Sequence, residues 1–146
     1  PVDGAIIGGS WGLLTWVRAF VAPSSPLAPL VFVNPLVSVV PRIMIGILAG
    51  YTFILMCRLV KAKYIAAVSA AIVGTLTNTG LVLGFIYLFY RTPAVAQTYG
   101  VNVNHLLIAL ETVMATNGLA ELILAIIIVP MVALPVLEVR RRLEVN

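Results

Sequence analysis

A chain of 146 residues that is 62% hydrophobic, 10% charged and of mean hydropathy +1.12 has too little polar surface to cover a globule in water. A soluble domain carries about a quarter charged residues, so the lipid bilayer is the solvent that fits. The net charge of +4 is modest, and the nine Lys and Arg residues sit at the ends of apolar runs. That placement suits membrane topology and not a nucleic-acid-binding stripe.

The chain begins Pro1-Val2-Asp3, which is not a natural translation start, and no basic region precedes the first apolar run. The expectation is a chain lacking N-terminal residues, not one that opens on a signal peptide. The first span, taking about 20 apolar residues as the requirement, runs over 4–21. It is closed by the Pro-rich stretch Ala22 to Leu30, in which Pro23-Ser24-Ser25-Pro26 reads as an extracellular loop. A second span covers 42–60 and ends in the basic loop Arg58-Leu59-Val60-Lys61-Ala62-Lys63. The third covers 64–90 and stops at Arg91-Thr92-Pro93, followed by the polar segment Gln97 to Asn104.

The last run, 104–139, is followed by Arg140-Arg141-Arg142. At 1.5 Å per residue it reaches beyond ~45 Å, more than the ~30 Å hydrocarbon core. It is either one long tilted helix or a helix broken at Thr116-Asn117-Gly118. Arg58, Lys61, Lys63 and the arginine triplet hold six of the nine basic residues, which places both clusters in the cytoplasm. From the Lys61 loop back to a cytoplasmic C-terminus takes an even number of crossings. The third span supplies one, so the last run supplies an odd number, and one long helix is the economical answer. The reading is an all-α membrane protein, a helical bundle with four spans in one transmembrane domain over 1–146.

Small residues recur at i+4 in Gly4/Gly8/Gly12, Gly46/Gly50 and Gly80/Gly84. Such spacing lets helix backbones approach closely, which serves packing within the bundle or docking of another membrane subunit. Polar residues inside spans say more. Thr75, Thr77, Asn78 and Thr79 lie midway along the third span, and Glu111, Thr112, Thr116, Asn117 and Glu121 along the last. A carboxylate at bilayer depth costs roughly 2.5–3.5 kcal/mol on insertion scales, so both glutamates should face protein, water or ligand. On a helical wheel Asn117 and Glu121 stack one turn apart, with His105, Thr112 and Thr116 on a second stripe and Glu111 between. Threonines in helices commonly bond their own i−4 carbonyl, but Asn78, Asn117 and Glu121 together suggest a polar cavity.

Arg42, at the mouth of the second span, could fork onto a substrate carboxylate or snorkel to headgroups, and Arg18 shares the ambiguity. Trp11 and Trp16 suit interface anchors, and Trp16 could also stack on a ligand. Asn34-Pro35 and Ser38 could belong to a lid.

Catalysis has little to stand on. Cys57 and His105 are each single in the chain, so neither enters a disulfide or metal-ligand set, and Cys57 reads as a buried, inert thiol. No Ser-His-Asp set or phosphate-cradling loop is present, and no cofactor is called for. Glu111 and Glu121 stand ~15 Å apart along a helix, too far for paired carboxylate chemistry. Neither an enzyme nor autonomous ATP hydrolysis is expected.

The sequence resembles the substrate-capture (S) subunits of energy-coupling-factor (ECF) vitamin transporters. Asp3-Gly4-Ala5-Ile6-Ile7-Gly8-Gly9 resembles the opening of their third helix, and Asn34-Pro35-Leu36-Val37-Ser38-Val39-Val40-Pro41-Arg42 the entry to the fourth. Gly74-Thr75-Leu76-Thr77-Asn78-Thr79 resembles part of the fifth, and Ala115-Thr116-Asn117-Gly118-Leu119-Ala120-Glu121 part of the sixth. The resemblance implies a six-helix fold of which the last four are here, without the first helix that meets the coupling subunit. It implies a ligand held near the outer face by the last three helices and the extracellular loops. Asn78, Thr79, Thr112, Asn117 and Glu121 become pocket candidates, Asn34 and Arg42 loop-side candidates, and Thr77, Asn78 and Asn117 the first to substitute.

The implied function is capture of a water-soluble vitamin from outside a bacterial plasma membrane. The subunit would dock on a transmembrane coupling subunit and topple as two cytosolic ATPase subunits turn over. The motifs look most like the pantothenate-type branch, since a carboxylate and an amide suit Arg42 with Asn78 and Asn117. Hydroxymethylpyrimidine or pyridoxine comes next, because Glu121 would suit a protonatable ring. Two other classes stay open: a small ion- or proton-coupled transporter or channel using Glu111 or Glu121, and a non-transporting scaffold whose glycine faces serve assembly.

Overall fold

The computed structural model describes residues 1–23, 26–60 and 62–145, and of 140, 141, 144 and 145 only the backbone. Ser24, Ser25 and Lys61, read above as parts of an extracellular and a basic loop, fall outside the described residues, as do the side chains of Arg140 and Arg141. The described residues are helical with no strand, and four helices are long and apolar enough to cross a membrane. These are α1 (Val2–Val21), α4 (Val40–Val60, continuous with Pro35 in the apolar run), α5 (Lys63–Phe89) and the run Val103–Val139. Their outward faces are apolar: Ile7, Trp11 and Met131 are 70%, 65% and 70% exposed. A surface of that kind is stable against lipid and not against water.

The connections between spans are themselves folded. Short helices α2 (Ala28–Val31) and α3 (Pro35–Ser38) bridge α1 and α4, and α6 (Pro93–Thr98) follows α5. Two of them begin on the same local chemistry, a capping side chain followed by proline at the first helical position. The Asn34 side chain accepts from Leu36 N at 2.9 Å ahead of Pro35. The Thr92 hydroxyl accepts from Val95 N at 3.4 Å ahead of Pro93. Asn34-Pro35, which could belong to a lid, starts a short helix.

The most completely buried apolar cluster lies at this end of the bundle. Val31 and Val37 pack with Ile86, Val95, Leu106 and Leu110, and Phe32, Val82 and Leu83 pack against them. The indole of Trp16 donates to Val33 O at 2.8 Å and meets Phe20 edge-on, so it holds the connection to α1.

The spans pack in the order α1 on α4, α4 on α5, and α5 on the last run. Glycine sets the first contact. Gly4 lies opposite Gly46 and Gly8 opposite Arg42, and a Cβ on Gly8 would collide with the Arg42 carbonyl. A Cβ on Gly12 would stand 2.7 Å from Val39 Cα. A Cβ on Gly80 or Gly84, which share the spacing, would meet nothing within 4 Å among the described residues, so no close backbone approach depends on these glycines. Cys57 is half-buried, less enclosed than the sequence suggested.

The last run is neither an uninterrupted α-helix nor a broken one. A 3-10 turn (Val103–His105) leads into α7 (Leu106–Val113), a π-helical turn covers Met114–Gly118, and α8 (Leu119–Val145) continues without a gap. A π turn is a one-residue insertion that leaves a carbonyl without its usual partner. Threonine hydroxyls supply donors there: Thr112 to Ile108 O at 2.8 Å and Thr116 to Thr112 O at 2.9 Å.

Candidate functional site

A cavity of about 200 Å³ is lined by α4, α5, α7, the π turn and α8, with Phe32 from the connection between α2 and α3. Its wall holds Arg42 from α4, Asn78 and Thr79 from α5, Asn117 and Gly118 from the π turn, and Glu121 from α8. Phe32, Val82, Leu83 and Val113 complete the lining with apolar surface.

Arg42 is positioned from two sides. Its guanidinium donates to Val37 O at 3.0 Å and lies 5.5 Å above the centre of the Phe32 ring. A cation held over an aromatic face keeps its charge in place, and two contacts leave N–H donors for a carboxylate. On α5 the Asn78 side-chain amide makes no hydrogen bond within the described chain, and its Oδ1 is sealed from solvent without a partner. An amide with no bond to fix it can turn to offer oxygen or nitrogen to the cavity. Leaving such a group unsatisfied costs about 1–3 kcal/mol, a cost that a ligand able to bond it removes.

Glu121 stands one helical turn after Asn117, as the wheel placed it, and Thr79 donates to its Oε2 at 3.4 Å. Gly118 sits 3.3 Å, measured from where a Cβ would be, from Thr79 Cγ2, so the absent side chain is what brings the π turn close to α5. The cavity therefore presents a guanidinium near Phe32 and, across from it, a carboxylate with two amides and a hydroxyl. Such a set orients a ligand carrying a negative end and hydrogen-bond donors, on a mostly apolar wall, as small-molecule sites commonly do.

The other candidates lie elsewhere. Asn34 spends its side-chain oxygen on the cap of α3, and Thr112 bonds Ile108 O on its own helix. Thr77 is half-buried on α5 and lines none of the described cavities. Glu111, which was not among the pocket candidates, is exposed on α7 and does not line this cavity. Ten residues separate it from Glu121, and the intervening π turn shifts the register between them. Phe32 and Gly118 were not singled out as site residues. An aromatic two residues before Asn34-Pro35 and a glycine ending a threonine-rich turn were the signals available.

The fold and the site thus define a multi-pass helical membrane protein with a polar cavity near one end of its bundle. The sequence matches the family model for the ECF transporter, substrate-specific component, over residues 1–133, and the chain belongs to that family. That component binds the transported substrate and is not an enzyme. The chain is also similar to a pantothenic acid transporter of Lactococcus lactis subsp. cremoris (strain MG1363), 31% identical over 137 residues. This match covers 86% of the chain and 63% of the relative. A pantothenate transporter of Leuconostoc mesenteroides subsp. mesenteroides is 46% identical over 50 residues, which are 34% of the chain and 24% of the relative. The chain thus spans less than two thirds of the length of either.

Proposed function

We propose that this chain captures pantothenate for an ATP-driven ECF-type importer, holding the vitamin in the cavity between Arg42 and Glu121. The convergence of Arg42, Asn78, Thr79, Asn117 and Glu121 from α4, α5, the π turn and α8 carries the proposal. Pantothenate has one carboxylate, an amide and two hydroxyls, so it matches a cavity with one cation and several neutral or acidic acceptors. The two relatives bearing pantothenate in their names support the same choice.

The charge pattern supports an orientation with the C-terminus and the Arg58 end in the cytoplasm, which puts the cavity and α2, α3 and α6 on the outer side. Delivery then requires docking on a transmembrane coupling subunit served by two cytosolic ATPase subunits, in a bacterial plasma membrane. These 146 residues are read as one transmembrane domain.

A panel of vitamins added to the purified protein in lipid nanodiscs tests the reading. A ligand at 100 times its dissociation constant adds about 2.7 kcal/mol to stability. Pantothenate should raise the melting temperature and Asn117→Ala should remove the shift. A shift with hydroxymethylpyrimidine or pyridoxine alone would keep the capture function and reject pantothenate. No shift with any vitamin would reject both.

A further inference from the structure

A second cavity, of about 310 Å³ and more open at its side than the first, lies further along the same helices and shares Asn78 and Glu121 with it. Each of three helices continues its own stripe away from Arg42 at one-turn spacing. On α4 the stripe runs Arg42, Ile45, Ala49. On α5 it passes from Asn78 through Gly74 to Ala70 and Ala71, and on α8 from Glu121 to Ala125 and Val129. Apart from Thr75 and the shared pair, the inner cavity is lined by aliphatic side chains and glycine. Seven residues from Arg42 to Ala49 correspond to ~10 Å of depth.

We infer that the two cavities form one elongated site with a polar neck, and that its inner half is a subsite for a small, branched apolar group. The inference rests on the pantothenate reading and deepens it. At the neck, the unbonded Asn78 amide and the Glu121 carboxylate, which keeps acceptor capacity beyond the Thr79 hydroxyl, read hydroxyl or N–H donors. Beyond the neck no polar group except Thr75 rewards a charged or strongly hydrated end, so the ligand enters with its carboxylate last, against Arg42. Small residues at Ala49, Ala70, Ala71, Gly74 and Ala125 leave the room that a branched group needs. The site therefore selects an order of groups along the ligand: a carboxylate, then donors, then a compact branched hydrocarbon. Pantothenate runs from its carboxylate through the amide and one hydroxyl to a carbon bearing two methyl groups, and it ends on a hydroxymethyl for which Thr75 is the polar group in the inner cavity.

Calorimetry on the protein in nanodiscs, with pantothenate and two analogues, tests this. One analogue lacks the hydroxyl next to the amide, and the other has hydrogens in place of the two methyls. Wild type should bind the first about tenfold more weakly and the second about tenfold more weakly. Asn78→Ala and Glu121→Ala should erase the hydroxyl preference and keep the methyl preference. Ala125→Phe, which fills the inner cavity, should do the reverse, and these ratios are internal to each variant, so lowered stability does not move them. If pantothenate binds and both ratios survive in all three variants, the elongated site is wrong while the vitamin assignment stands. If wild type does not bind pantothenate, the assignment fails and the inference fails with it.

Discussion

The guanidinium of Arg42 is held by Val37 O and the Phe32 face before any ligand arrives, so its charge is pre-organised and not free to snorkel. Replacing it with alanine should weaken pantothenate binding by about ten- to a hundredfold, the range for hydrogen bonds to a charged group. Arg42→Lys should recover only part of that loss, because an ammonium cannot fork onto a carboxylate or stack flat on Phe32. Calorimetric titration of the two variants checks both statements. Asn34 makes the opposite case: its side chain caps α3, so Asn34→Ala should lower stability by about 1 kcal/mol. Chemical denaturation in detergent reads that loss. At this scale the sequence revealed those polar residues for which the bilayer leaves little choice. Asn78, Asn117 and Glu121 are costly in lipid, and the structure brings all three to one cavity. Thr112 and Asn34 were less legible because a hydroxyl or a capping amide is satisfied locally, and sequence does not show which bond it takes.

Among the elements, the π turn is what the periodicity could not reveal. The run 103–139 has the apolar length of a helix, and an inserted residue leaves composition unchanged. Yet this turn places Asn117 and Gly118 against α5. Deleting the exposed Ala115 should convert Met114–Gly118 to ordinary α-helix, keep the helical circular dichroism signal, and rotate α7 against α8. Pantothenate binding should then be lost from a protein that is still helical. Gly8 offers a second test, because its missing side chain lets α1 lie on the backbone of Arg42. Gly8→Leu should destabilise the α1–α4 contact by at least the 1–3 kcal/mol typical of overpacking, seen as a lower melting temperature. The bounds of the long spans were readable within a few residues, since about 20 apolar residues and a charged or proline-rich stop define them. The short helices α2, α3 and α6 were not, because each is a single turn or two set by a cap and a proline inside a segment whose composition reads as loop.

For the molecule as a whole, the two ends are packed differently, with large buried side chains at one and the buried alanines Ala66, Ala67, Ala70 and Ala71 of α5 toward the other. Connections, short helices and the buried apolar cluster gather at the end that holds the cavity, while α4 and α8 carry Arg58 and Arg142 toward the other. A small polar cavity beside a packed apolar cluster suits the proposed capture of a ligand, and it follows from where proline, asparagine and the aromatic residues fall. The central claim is that pantothenate occupies the space between Arg42 and Glu121. An experimental structure of the protein with pantothenate tests it most directly. The account predicts density with the carboxylate on Arg42 beside Phe32, and the hydroxyls at Asn78 and Glu121. Pantothenate seated instead in the cavity of about 610 Å³ beside Trp11 and Arg18, with the Arg42–Glu121 space empty, would contradict it.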